Sequence, residues 1–308
     1  MSILVGTASW TDKSLIDCGR FYPADAKSPE ARLRYYAGQF ALVEVDSSYY
    51  ALPRASNSQL WVERTPAAFR MNVKAFRLFT AHQTAPAVLP ADIREALPTQ
   101  LAEKRNVYYK DLPGPIIDEL WRRFLEALEP LRLAGKLGLI HLQFAPWLLR
   151  NRAGHQHVED CVARLQGYEV SVEFRNKTWF EPEHCAATLA FERELGVTHT
   201  VVDEPQGFAS SVPQVWEATN ERFALVRLHG RNAATWNVKG AVASSDRFNY
   251  DYSDDELGEL GERIRELSRK VRQTHVIFNN NYEDQGQRNA RTLTSMLSAQ
   301  TEVASLAI

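Results

Sequence analysis

Residues 168–179, YEVSVEFRNKTW, alternate with a period of two. Val170, Val172 and Phe174 fall on one side of an extended chain, while Glu169, Ser171, Glu173 and Arg175 fall on the other. A parallel strand covered on both faces is expected to be apolar on both, so a charged inner side calls for a reason. Charges of this kind collect at binding and catalytic sites, above all where several strands aim at one place.

Seven further segments share the strand character: residues 3–9, 42–47, 69–75, 137–144, 197–203, 223–229 and 275–279. Helical patterns lie between them. Ser28 followed by Pro29 starts one that runs toward Phe40, and a second covers 57–65 before Pro66. A third places Ile117, Leu120, Trp121, Phe124, Leu128 and Leu131 at helical spacing. Others cover 158–165, 183–195 ahead of Gly196, 253–273 with SDDE as a capping box, and 285–300. Strand and helix thus alternate eight times without a linker or repeat, which predicts an α/β fold: a single (β/α)8 TIM-type barrel spanning residues 1–308. The rival, a doubly wound open sheet, calls for a glycine-rich phosphate turn after the first strand, and GTASW is not one. The long departure at 77–135, between strands 3 and 4, is expected to leave the C-terminal face and to serve as a lid or wall.

Composition sets outer bounds. The 308 residues carry a net charge of −2, so any pull on anions comes from local clusters. Cys18, Cys161 and Cys185 are odd in number and lack a CxxC spacing, which argues against a disulfide framework and a thiolate metal site. No apolar run is long enough to cross a bilayer, and the start, MSILVGTASW, lacks the basic region of a signal peptide; no membrane partner and a cytoplasmic location are expected.

Applying the alternation to every strand yields an inner polar set: Thr7 and Ser9; Glu44 and Asp46; Arg70, Asn72 and Lys74; His141 and Gln143; Glu173 and Arg175; Asp203; Arg227 and His229; and Asn279, followed by Asn280 and Asn281. Barrel centres are normally filled by branched apolar side chains, so this set marks a polar pocket at one end. Lys74, Arg175, Arg227 and Arg231 suit a phosphate or carboxylate. Glu44 and Glu173 are the acid–base pair expected, and His229, near the rim, the histidine for proton transfer; His141, deeper, reads as a hydrogen-bonded core residue. The bland alternative is mutual neutralisation, Glu44 by Lys74 and Glu173 by Arg175 or Arg227, which adds little net stability.

Trp10, Trp147, Trp179 and Trp236 each follow a strand and are expected on the rim, where indole faces stack on a sugar or base, whereas Trp61, Trp121 and Trp216 fall in helical stretches. Gln143, Asp203, Asn279 and Asn280 complete the expected ligand contacts. A divalent metal held by Glu44, Glu173, Asp203 and His229 is the competing reading, but no HExxH-like spacing supports it and no cofactor is otherwise indicated. The sequence shows no self-complementary patch that would set an oligomeric state.

Eight motifs in order then carry a resemblance: GTASW at 6–10, FYP at 21–23, VEVDSSYYALP at 43–53, VKAF at 73–76, LQFAPW at 142–147, VEFRNKTW at 172–179, VRLHGR at 226–231, and FNNN with NARTL at 278–293. In these the chain resembles the YecE-like family, domain of unknown function seventy-two. It departs at Val45-Asp46-Ser47, where Ile-Asn-Ser is common, and the first loop lacks a second tryptophan. The resemblance implies a TIM-type barrel and no established activity. The expectation from the residues is an enzyme that binds a small anionic, ring-bearing ligand, a phosphosugar or nucleotide, and hydrolyses or isomerises it by acid–base chemistry. The alternatives are a metal-dependent phosphodiesterase or sugar isomerase, and a non-catalytic nucleic-acid-binding barrel.

Overall fold

In the computed structural model, which describes residues 2–236 and 247–306 (300–306 as backbone alone), eight parallel strands close into one barrel in chain order. They are β1 Ser2–Ala8, β2 Leu42–Val45, β3 Arg70–Lys74, β4 Leu137–Gln143, β5 Val170–Glu173, β6 Thr198–Asp203, β7 Phe223–Leu228 and β8 Gln273–Phe278. The principal helices outside them are α1 Pro29–Gln39, α2 Ala55–Glu63, α3 Gly114–Leu133, α4 Arg152–Ala163, α5 Cys185–Glu194, α6 Asp254–Ser268 and α7 Gln285–Leu306. Local chemistry sets their starts. The Ser28 hydroxyl accepts from the Ala31 N–H ahead of α1, and Ser253 and Glu256 form the reciprocal capping box of α6. No described helix is long and apolar enough to cross a membrane.

Strict alternation fails once. Residues 204–222, all described, join β6 to β7 without a helix, and Pro205, Gly207 and Pro213 interrupt any helical run there. Trp216, expected on a helix, lies in this connection and packs on the core with Val215 and Ala218. The departure after β3 also divides. Residues 114–133 are the barrel's own third helix, with Leu120, Trp121, Phe124 and Leu128 buried. The added part is 77–113, closed at its base by antiparallel bonds between Thr84 and Val107 and tied to α3 where Phe79 stacks on Trp121 at 3.8 Å.

Register fixes what each strand turns inward. Ala8 lies beside Glu44, Lys74 beside His141, Gln143 beside Glu173, and Val202 beside Arg227. The barrel floor is an apolar cluster of Ala8, Leu42, Leu139, Leu225 and Ile277. Glu44, His141 and Arg227 each stand two residues beyond a floor residue of their own strand, so the chain switches from apolar to charged one inward step higher. Gly6 is required on β1, since a Cβ there would lie 2.0 Å from the Leu42 carbonyl oxygen.

Candidate functional site

Above the floor sits a fully buried ionic layer. The Arg227 guanidinium, 0% exposed, donates from Nη2 to Glu44 Oε1 and from Nη1 to Glu173 Oε2, each at 2.6 Å. Glu173 also accepts from Gln143 Nε2 at 2.6 Å and from Arg175 Nη1 at 3.1 Å, with His141 and His229 ring nitrogens 3.3 and 3.4 Å away. Burial alone would push its carboxyl up; Arg227 and the two histidines outweigh that and hold it well below the usual range. Burial drives His229 down to about 3 against the upward pull of Glu173, so the imidazole is neutral. Its Nδ1 faces the Asn279 amide nitrogen at 2.7 Å. His141 bonds through Nδ1 to the Ser171 hydroxyl at 2.9 Å.

One step higher the balance of charge changes. Arg175 bridges Glu173 to Glu204, whose Oε2 lies 3.1 Å from Nη2. Lys74 Nζ reaches Asp46 at 3.0 Å and lies over the Tyr49 ring, which Arg77 also covers. Arg247 and Arg175 both lie over the Trp236 indole, at 4.5 and 5.1 Å. Among the described residues neither Arg77 nor Arg247 has a carboxylate within ion-pair distance, and the buried Nε of each lacks a hydrogen-bond partner. Burial and the neighbouring Arg175 push Arg247 down to about 10. His82 stands among Lys74, Arg77 and Arg175; burial first, then those cations, bring it to about 3. Burial lifts the Glu204 carboxyl to about 7 despite Arg175 and the Val212 N–H that bonds Oε1 at 2.8 Å.

Several expectations need correction. Asp203 faces outward, because Val202 is the inner residue beside Arg227; the inner carboxylate comes just past the end of β6, at Glu204. Asp203 ties loops instead, accepting from Arg231 Nε at 3.0 Å and Tyr252 at 2.5 Å, and also from Gln214. Arg231 is spent on Asp203 and Glu256. Thr7 is likewise outward and meets the Tyr36 hydroxyl, since Ala8 holds the inner position. Trp179, 0% exposed, stacks on Phe174 at 3.8 Å and donates to the Leu148 carbonyl; Trp10 is buried edge-on against Trp61. Neither presents a face to a ligand. Asn280 is buried and holds Tyr250 and Asn289. The four residues weighed as a metal set do not converge, as Asp203 points away and Arg227 occupies the space between Glu44 and Glu173. Arg227 and Arg175 hold Glu173 as a carboxylate, which disfavours the acid role expected for it, and Arg227 itself is fully buried and taken up by Glu44 and Glu173.

Arg77, Glu204 and Arg247 were missed. Alternation through Glu204 was available, but the adjacent Val201 and Val202 hide the phase of β6. Arg247 comes from the loop ahead of α6, where no periodicity places it. Lys74, Gln143, Arg175 and Asn279 do come together at the upper layer with Glu44, Glu173, Arg227 and His229 below.

Comparisons with known proteins agree with this architecture. The family described as protein of unknown function DUF72 matches residues 4–307. The UPF0759 protein YunF of Bacillus subtilis is 31% identical over 297 residues, covering 96% of this chain and 94% of that protein. A DUF72 family protein of Enterococcus faecalis aligns with a TM-score of 0.76 at 26% identity, over 96% of this chain and 95% of the other. One from Thermotoga maritima gives 0.74 at 28% identity, over 97% and 100%. The chain belongs to the DUF72 family, the one to which its eight motifs pointed.

Proposed function

We propose, since membership of this family names a fold and not a reaction, that the chain is an enzyme acting on a small anionic, ring-bearing substrate, a phosphosugar or nucleotide, at the C-terminal mouth of its barrel. One observation carries the reading: Arg77 and Arg247 are half-buried guanidiniums with no carboxylate within ion-pair distance among the described residues, placed beside Lys74 and Arg175. Desolvated, unpaired cations are costly to keep unless an anion meets them. Arginine forks match a phosphate's oxygens two at a time. Tyr49, carrying two cations on its ring, and neutral His82 beside it supply a wall for the substrate's ring.

Glu204 is the proton-transfer group of this reading. A carboxyl poised near 7 takes a proton from, or returns one to, a hydroxyl at neutral pH with little energetic bias. Arg175 orients it, and Glu173 holds Arg175, so the ionic layer below acts as a fixed base for the reacting layer above. Both hydrolysis and isomerisation draw on such a group. A binding-only barrel would share the cations but have no use for Glu204.

Calorimetric titration with ribose 5-phosphate, for the wild type and Arg247→Ala, tests the reading. Saturable binding that weakens in the variant supports it. Absence of binding to any phosphate-bearing ring at millimolar concentration, or equal affinity in the variant, refutes it.

A further inference from the structure

A second cavity lies outside the barrel wall, between the added segment 77–113 and α4. Its volume is about 950 Å³, at the upper end of small-molecule sites. Three of its side chains are large, apolar or aromatic, and exposed: Trp147 at 48%, Leu149 at 45% and Tyr108 at 36%. Trp147 is also held still. Its indole N–H donates to the Ala81 carbonyl at 2.9 Å, and Tyr108 meets it edge-on at 6.4 Å.

Trp147 joins this groove to the mouth. The His82 ring contacts Trp147 at 5.8 Å on one side and Tyr49 at 5.3 Å on the other, and Tyr49 lies under Lys74 and Arg77. His82 is thus the ring that separates the Tyr49 ring under those cations from the Trp147 indole. The electrostatics differ between the two ends. Among the described residues lining the groove, Lys110 stands with Asp111 and Asp160, so a second phosphate has no crown of cations to meet there. An uncharged ring does have flat aromatic surface waiting.

We propose that this groove is a second subsite that takes a neutral ring of the same ligand, so that the substrate is an anion carrying at least one ring beyond the one in the mouth. The inference rests on the reading of the mouth as an anion site. It narrows the substrate class from single-ring phosphates to extended ones, with a sugar or a base as the outer ring.

Two matched pairs of probes, with inorganic phosphate as reference, test it by calorimetry: adenosine 5′-monophosphate against ribose 5-phosphate, and trehalose 6-phosphate against glucose 6-phosphate. Stacking on an aromatic side chain corresponds to roughly ten-fold tighter binding. The expected result is that gain in at least one pair for the wild type, and its loss in Trp147→Ala and in Tyr108→Ala with phosphate affinity unchanged within about two-fold. Which pair shows the gain identifies a base or a sugar. The inference is overturned if neither pair shows a gain, if the gain survives both substitutions, or if phosphate affinity falls in step with it. Should no phosphate compound bind the wild type at all, the reading of the mouth fails as well, which separates the two failures.

Discussion

Two layers of buried charge stand one above the other in this barrel, and they are built on opposite terms. In the lower, Arg227 is clamped between Glu44 and Glu173 at 2.6 Å to each, and every member is inaccessible. In the upper, Lys74 and Arg175 have carboxylate partners, but among the described residues Arg77 and Arg247 have none within ion-pair distance. A paired layer needs nothing further to exist; an unpaired one is costly to keep unless a counter-charge meets it. Residue type does not separate scaffold from site here. Whether each cation has a carboxylate within ion-pair distance does.

The comparison breaks most readily at its lower member. Arg227→Met leaves two carboxylates buried without their cation and is expected to cost about 3–5 kcal/mol, read as a lower denaturation midpoint at unchanged slope. A loss near zero would mean that the layer is not the scaffold described.

Glu204→Gln sharpens the upper member next. With its carboxyl raised from 4.5 to about 7, the folded protein keeps a proton that the unfolded chain has released, so stability falls as pH rises through that window. The variant should lose this dependence, a difference of up to about 3 kcal/mol by pH 8. Melting curves from pH 4 to 8 that superimpose for the two proteins would remove Glu204 from its role.

Arg247→Ala should weaken ribose 5-phosphate binding by about 10- to 100-fold, the worth of a charge-assisted contact. Its melting temperature should hold or rise, because an unpaired cation has been taken out; a fall would mark Arg247 as a structural residue. Arg231→Ala is the mildest test. Its half-buried pairs with Asp203 and Glu256 predict a loss of about 1 kcal/mol in stability and no change in phosphate affinity.

What the sequence disclosed followed from periodicity. β5 announces its phase because one side is charged and the other apolar, and the same holds for β3, β4 and β7. β1 is largely apolar on both sides and β6, THTVVD, mixes polar and apolar residues on both, so alternation has no phase to report, and Thr7 and Asp203 were each placed on the wrong face. Only pairing with a neighbouring strand resolves such cases. Trp179 misled for another reason: a position shortly after a strand fixes which end of the barrel a residue occupies, not whether its ring turns to the mouth or packs beneath a helix. Arg77 and Arg247 come from loops, whose conformation no repeating pattern encodes.

Trp236, beneath two guanidiniums, has one further consequence. The colour of indole emission depends on the electric field across the ring, and here that field is set by Arg175 and Arg247. An anion arriving at Arg247 changes it, so filling the mouth should alter the wavelength of the light the protein emits. The molecule carries its own dye at the proposed site.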